Sequence, residues 1–475
     1  MVKKALIIAA GNGSRLRKDG NDTPKPLRKV AGVPLLKRIL LTAHKAGISE
    51  FVIVVGYAQD QIRKAVASYN LDLNIEFVEN PDWQKSNGIS VLAARKAIRE
   101  DFILLMSDHV VSVEALNQLR RVPLGQQRAV LAVDYKLGTI FDMDDATKVQ
   151  VNRDGQIQAI DKELQEFNAV DTGMFLCSTR LFSALEEACV NGNCSLSDGI
   201  RLLAARKQMG TFNVGAAHWQ DVDTKPALRH AESLLLDECR KSTDGWIARN
   251  INRRISLWMT KYLVRTNLSA NHMTGLTTLV GVASGVFAAR GDYWNLLIGA
   301  VLFQLASILD GVDGEMSRLT FTSSKTGQWL DTISDNLTYV CFISGLSIAA
   351  FKTQDTTLSV LGITTLIGMA LALVVTFTFL LSFTDSGSMI AIQKDFQQNE
   401  NGNWLWQFLR KIQFAIKRDF FALLFMVLAL LNQMGAILWL CCIGTNMVWL
   451  VLLNYRLGLF KPAVRKEAVN SSVHS

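Results

Sequence analysis

A chain of 475 residues has room for two or three domains, each long enough to bury a core. Its charge is unevenly spread: Lys, Arg, Asp and Glu crowd the first half, while after about residue 270 apolar runs of membrane-spanning length alternate with short polar gaps. This excludes a single soluble globule. The net charge of +8 does not argue for nucleic acid, because the chain has no zinc-ligand spacing, no basic heptad region and no aromatic-interleaved basic strand. Much of the excess instead flanks the apolar runs.

From Lys4 to about Glu238, short apolar runs alternate with amphipathic stretches: "ALIIAA", "PLLKRILLTAHKAG", "FVIVVG", "AQDQIRKAVASY", "IEFVEN" and "FILLMSD". The alternation predicts βαβ units around a mostly parallel sheet, an α/β domain over residues 1–238. The opening "MVKKALIIAAGNG" imitates a signal peptide, but its apolar run is too short and no cleavage-type segment follows, so this half is expected in the cytoplasm. The seven cysteines (Cys177, Cys189, Cys194, Cys239, Cys341, Cys441 and Cys442) are odd in number and form no CxxC pair. Reduced thiols are the expectation.

Residues 239–268 are polar and basic, with Trp246, Ile251, Ile255, Trp258, Met259 and Tyr262 at roughly helical spacing. An amphipathic helix at the membrane surface has such a stripe, and so does a plain interdomain helix. Residues 269–460 then read as an all-α membrane domain. Six spans are predicted, at about 272–290, 293–312, 329–351, 357–383, 419–433 and 435–455, the fifth short. Basic residues collect on one side, from Arg249, Arg253 and Arg254 through Arg318 to Arg418 and Arg456, against Arg290 and Lys352 on the other. The bias predicts both termini on the cytoplasmic side. The stretch 394–420, with Trp404 and Trp406, is expected in the headgroup layer, and 461–475 as a disordered tail.

In the first domain, "ALIIAAGNGSRL" ends an apolar strand in a glycine-bearing loop. Leu16 stands where a dinucleotide fingerprint needs glycine or alanine, which weakens a Rossmann reading. Gly11 and Gly13 supply the backbone freedom to wrap phosphate oxygens, and Arg15 and Lys25 supply positive charge. "AAGNGSRL" followed by "TPKPL", with Asp108 in "LLMSDHV" and Asp221 and Asp223 in "HWQDVDT", resembles the sugar-phosphate nucleotidyltransferases, whose fold is a Rossmann-like mixed sheet. That resemblance implies a Mg2+ ion on Asp108 and Asp223, with Asp221 in support. "ENPDWQKSNGISVL", "DATKVQV", "DKELQEFNAVDTGMFL" and "DVDTKPALRHAE" are similar to the inositol-1-phosphate cytidylyltransferase branch. The likeness implies CTP as substrate, Asn87, Gly88 and Ser90 at the base, and Lys162 and Asp171 at the acceptor's phosphate and hydroxyls.

"SILDGVDGEMSRLTFTSSKTGQWLDTISDN" places Asp310, Asp313, Asp331 and Asp335 inside the membrane region. Each carboxylate at mid-span costs about 2.5–3.5 kcal/mol, so a cluster demands a cation. Asp310 and Asp313 share one helix face, as do Asp331 and Asp335, and hard oxygen ligands so placed suit Mg2+ or Mn2+. The full spacing resembles the CDP-alcohol phosphotransferase signature, except that Ser317 replaces an alanine. By that resemblance Asp310, Asp313 and Asp331 hold the metals, with Asp335 beside them as the base. Gly314 and Gly327 admit the nucleotide, Arg318 neutralises phosphate, and "LSANHMTGL" leads into the first span. A homodimer through the membrane domain is implied as well.

Together the resemblances imply a fusion of a cytidylyltransferase with a di-myo-inositol phosphate phosphate synthase. CTP and inositol 1-phosphate would give CDP-inositol and pyrophosphate, and a second inositol 1-phosphate would then displace CMP. Arg249, Arg253, Arg254, Lys417 and Arg418 are candidates to meet that anionic acceptor, or simply flank the spans. Two alternatives remain at this stage: an enzyme joining another CDP-alcohol to a lipid hydroxyl, and a membrane scaffold or transporter with a nucleotide-sensing domain.

Overall fold

A computed structural model describes residues 1–13, 23–190, 192–240, 244–383 and 418–457. The expected headgroup segment 394–417 and the tail 461–475 lie outside these residues. The chain divides into two compact units, Met1–Asp237 and Glu238–Ser475.

The first unit starts with β1 (Lys4–Ala9), a short hairpin of β2 (Lys29–Val30) and β3 (Val33–Pro34), helix α1 (Leu35–Lys45), β4 (Glu50–Val55), α2 (Gln59–Ser68) and β5 (Asn74–Glu79). It continues with α3 (Asn87–Ala93), β6 (Phe102–Met106), β7 (His109–Val111), α4 (Val113–Leu119), β8 (Ala129–Asp134), β9 (Lys148–Val151), β10 (Ile157–Asp161) and β11 (Ala169–Cys177). Helices α5 (Arg180–Ala188) and α6 (Leu196–Ala205), strands β12 (Met209–Asn213) and β13 (Trp219–Asp221), and α7 (Lys225–Glu238) complete it. The main sheet runs β10-β9-β11-β6-β1-β4-β5, with β8 pairing β11 and β12. Strands β6, β1, β4 and β5 are parallel and β11 is antiparallel to β6, which makes the sheet mixed. Leu6 faces one apolar layer and Ala5 and Ile7 the other, all fully buried. Burial on both faces explains why these strands read as continuous apolar runs.

Cys189 and Cys194 form a disulfide in this unit. The expectation of reduced thiols therefore fails at this pair. A five-residue spacing carries no CxxC signal, and the turn after α5 brings the two sulfurs together. The other five cysteines are not in disulfides.

The second unit is helical: α8 (Arg253–Leu263), α9 (Ala270–Ala288), α10 (Tyr293–Thr320), α11 (Lys325–Lys352), α12 (Thr356–Phe383), α13 (Arg418–Leu430) and α14 (Met434–Leu457). Among the described residues, four helices are long and apolar enough to cross a membrane: α10, α11, α12 and α14. Six spans were predicted. Helix α13 has 13 residues, short of the roughly 20 that a bilayer needs, and α9 dilutes its apolar residues with hydroxyl and glycine positions. Those positions serve packing. Gly281 of α9 faces Thr338, and Gly285 faces Cys341 and Gly345 of α11, so closely that a Cβ at either glycine would collide.

Helix α8 turns Ser256, Leu257 and Thr260 inward, while Trp258 and Tyr262 are exposed. The inward edge packs on α10, and it consists of residues other than the stripe named from the sequence, of which Trp246, Ile255, Trp258 and Tyr262 are exposed.

Candidate active sites

In the first unit, β4 and β5 lie on one side of β1 and β6 on the other. The connections diverge between β1 and β6, and a crevice opens at the carboxyl ends of such strands. Gly11 and Gly13 follow β1, and Asp108 follows β6. Gly13 has φ +58°, and a Cβ there would lie 2.6 Å from the Lys25 Cβ, so only glycine lets the loop cross that side chain. Arg15 lies outside the described residues.

Strand β13 pairs with β7 so that Asp221 sits opposite His109, and the Val222 N–H donates to the Asp108 carbonyl at 3.0 Å. This ladder brings two carboxylates from late in the domain to Asp108. Lys25 Nζ donates to Asp108 at 2.6 Å and to Asp223, and stands 3.7 Å from Asp221. Asp108, His109 and Asp221 present ligand atoms within 4.8 Å of one another. The sequence paired Asp108 with Asp223 and gave Asp221 the lesser part; here Asp221 shares the cluster and Asp223 is tied to Lys25. Asp221 Oδ1 is buried without a hydrogen-bond partner. An unmet carboxylate oxygen beside a second carboxylate fits a hard divalent cation such as Mg2+.

The electrostatics follow from this crowding. Burial pushes the Asp108 carboxyl up, but Lys25 and His109 pull it far below the usual carboxylate range. Burial lowers His109, and Asp221 and Asp108 more than reverse this, lifting it to about 9. Burial raises Asp171 to about 6, against the pull of the Gly173 N–H, which donates to it at 2.7 Å. Gly173 has φ +74° and the His109 ring occupies the space of its missing side chain.

Two clefts meet at Asp108 and Asp223. The smaller, about 320 Å³, is lined by Gly11, Gly13, Lys25, Trp83, Asn87 and Ser90. The larger, about 660 Å³, includes Asp134, Lys136, Lys162, Asp171 and His218. Lys162 pairs with Asp145 at 2.7 Å beside that second cleft. One cleft is bordered by the glycine loop, and the other is lined by alternating acids and cations. Gly88 packs elsewhere: a Cβ there would come within 2.5 Å of the Cys194 carbonyl oxygen. Sequence reasoning missed Trp83, His109 and Gly173. All three lie within quoted motifs, but single residues inside a loop carry no periodic signal.

In the second unit, Asp310 and Asp313 occupy one turn of α10, and Asp331 and Asp335 one turn of α11. Asp310, Asp313 and Asp331 bring oxygens within 4.8 Å of one another, and Thr274 of α9 donates to Asp313 at 2.6 Å. Three carboxylates this close repel strongly, and an all-oxygen donor set fits Mg2+ or Mn2+. Asp335 stands outside the triplet. Arg418 Nη1 donates to it and lies 3.4 Å from Asp310, while Arg418 Nε and Nη2 are buried without hydrogen-bond partners.

Arg318 Nη2 donates to the Cys239 carbonyl at 3.1 Å, and its Nε is buried and unpartnered. Gly314 leaves room for Arg318, whose Nη1 would lie 3.4 Å from a Cβ there. The Gly327 N–H donates to Ser324 at the start of α11. The Ser317 hydroxyl bonds the Gly314 carbonyl at 3.1 Å, so the departure from alanine is absorbed within its own helix.

Residues 5–208 match the MobA-like NTP transferase domain, and residues 267–453 match the CDP-alcohol phosphatidyltransferase family. A bifunctional IPC transferase and DIPP synthase of Aquifex aeolicus is 33% identical, over 73% of this chain and 78% of its own length. Its counterpart in Rubrobacter xylanophilus is 35% identical, over 73% and 77%. A solved inositol-1-phosphate CTP transferase from T. maritima aligns with 49% of this chain and 95% of its own, at 25% identity and a TM-score of 0.44. Both halves are matched in the same order within single relatives, and the chain belongs to the family of bifunctional IPC transferases and DIPP synthases.

Proposed function

We propose that the first unit joins CTP to inositol 1-phosphate and that the second transfers the inositol phosphate group onward to another inositol 1-phosphate. In the first reaction a phosphate oxygen of inositol 1-phosphate attacks the α-phosphorus of CTP, the bond to the β-phosphate bridge breaks, and pyrophosphate leaves. The reactants are both anions, so charge must be offset before they meet. Arg15 and Lys25 neutralise the triphosphate, Gly11 and Gly13 wrap it, and Asn87 and Ser90 border the base, with Gly88 shaping that wall. Lys162 and Asp171 orient the acceptor.

In the second reaction the acceptor hydroxyl attacks the phosphorus that bears inositol in CDP-inositol, the bond to CMP breaks, and Asp335 takes the hydroxyl proton. Divalent ions on Asp108, Asp221 and Asp223 in one site, and on Asp310, Asp313 and Asp331 in the other, supply Lewis-acid stabilisation of phosphate charge. Gly314 and Gly327 leave room for the nucleotide along α10 and α11, and Arg318 faces its phosphates. The second unit works in a lipid bilayer, with six helices in or at the membrane, both termini and both sites cytoplasmic, and a second copy of the chain as its partner.

The observation that carries the choice of acceptor is Arg418. It stands beside Asp335 and Asp310 with two buried, unsatisfied donors, which favours an anionic acceptor over a neutral lipid hydroxyl. Lys25 hydrogen-bonds both Asp108 and Asp223, and that contact supports a catalytic reading over a purely sensing domain. Membranes carrying the protein are to be incubated with labelled inositol 1-phosphate and CTP. A water-soluble phosphodiester is the expected product; label confined to the organic phase would reject the soluble acceptor.

A further inference from the structure

Behind the metal-binding face of α10 lies a carboxylate to which neither reaction assigns a role. Glu315 is fully buried. It lies two residues after Asp313, so at 3.6 residues per turn it points to the opposite side of the helix. Its Oε1 accepts from Arg253 Nη1 at 2.8 Å and from the Ser256 hydroxyl at 2.6 Å, and its Oε2 accepts from the Thr260 hydroxyl at 2.7 Å. Arg253, Ser256 and Thr260 occur at i, i+3 and i+7 on α8, one helical face.

Arg253 is itself fixed. Its Nε and Nη2 donate to Asp244 at 2.9 and 3.3 Å, and Nη1 also lies 3.5 Å from the Gly311 carbonyl, between the two metal-binding aspartates of the helix. A buried carboxylate that keeps its charge needs several donors, and Arg253, Ser256 and Thr260, its three side-chain donors among the described residues, all lie on α8. The surface helix thus grips α10 by a charged, multiply hydrogen-bonded contact instead of an apolar one. Such a contact fixes rotation and register along the helix, which apolar contacts leave looser. Rotation of α10 decides whether Asp310 and Asp313 converge on Asp331.

We propose that Glu315, held by Arg253, Ser256 and Thr260, is a positioning residue for the second site, and that α8 is the back wall of that site as well as a surface-lying helix. The inference rests on the phosphotransfer reading above. It also takes Arg253 out of the set of cations available to the acceptor.

The test uses the full chain in proteoliposomes. Ser256→Ala and Thr260→Val each remove one hydrogen bond without leaving an unpaired charge, and Arg253→Lys keeps the charge while losing the fork; these milder changes are expected to fold even if Glu315→Gln does not. Each is expected to raise the half-saturating Mg2+ concentration for CMP release about three- to tenfold, with CTP-dependent pyrophosphate release unchanged. In an Asp108→Ala/Asp223→Ala background, which silences the first site, Mn2+ binding followed by electron paramagnetic resonance should weaken by a similar factor. A purely architectural contact would lower thermal stability and leave both metal readouts at the wild-type value, and that result would overturn the proposal. A wild-type chain that releases no CMP from CDP-inositol would instead take down the phosphotransfer reading, and this inference with it.

Discussion

Arg418 hydrogen-bonds Asp335 and stands 3.4 Å from Asp310, so the carboxylate proposed as the base and one proposed as a metal ligand share a single guanidinium. An anionic acceptor entering there would find Nε and Nη2 free of protein hydrogen bonds, and by taking up the guanidinium it would release Asp335 to accept a proton. Arg418→Gln is therefore expected to raise KM for inositol 1-phosphate in the second reaction by roughly 10- to 100-fold, the value of a charge-assisted hydrogen bond. Steady-state CMP release from CDP-inositol measures this. An unchanged KM would remove Arg418 from acceptor binding.

The proposed base separates the two reactions. Asp335→Asn should lower CMP release by about 10²- to 10⁴-fold, the usual contribution of a general base, while pyrophosphate release from CTP continues at the wild-type rate. Loss of both together would argue against independent sites.

The converse holds in the first unit. Asp108→Ala removes one carboxylate from the cluster with His109 and Asp221 and leaves Lys25 with Asp223 as its remaining hydrogen-bond partner, and should abolish pyrophosphate release from CTP. CMP release from supplied CDP-inositol should persist. A variant still making CDP-inositol at the normal rate would exclude Asp108 from the metal site.

Acceptor binding in the first unit should depend on pH through Asp171. Burial places this carboxyl at about 6, above its ordinary value, so it is protonated below that pH and charged above it. As an ionised acceptor of inositol hydroxyl protons it works above about 6, and KM for inositol 1-phosphate should climb as pH falls through that value. The sign for stability is opposite: because the folded value is raised, ionisation costs stability as pH rises from the unfolded value of about 4 to about 6. Asp171→Asn should flatten the KM profile. A profile unchanged in that variant would assign the transition to another group.

Gly88→Ala tests the other side of the nucleotide cleft. The added methyl would meet the Cys194 carbonyl and the Ser195 backbone, and backbone cannot swing aside as a side chain can. Overpacking of this kind costs about 1–3 kcal/mol. It should also shift Asn87, whose Oδ1 accepts from the Leu196 N–H at 2.8 Å. Lower thermal stability together with a higher KM for CTP is the expected result; wild-type values for both would show that the loop yields freely.

Much of this was legible before any coordinates. The β1 and β6 runs are apolar because both their faces are buried, and the loops after them carry Gly11, Gly13 and Asp108. The aspartates at 310, 313, 331 and 335 had to share helix faces because helical spacing leaves them no other place. The disulfide between Cys189 and Cys194 was not legible, since a five-residue gap specifies no geometry. Of the six spans expected, four described helices are long and apolar enough to cross a membrane; α9 falls short of that measure because it exchanges apolar side chains for the glycines and hydroxyls that let α11 approach.

By itself the sequence determined the two-part architecture and the strand-end and helix-face positions of the acidic residues, since periodicity and motif spacing are local properties of the chain; the class of chemistry came from the resemblance those motifs carry. Only the tertiary structure decided the pairings: Asp221 with Asp108, Lys25 with Asp223, Arg418 with Asp335 and Glu315 with Arg253. Each joins residues from separate elements, and partners for buried charge are chosen by how helices and strands come together in space, which spacing along one element does not encode.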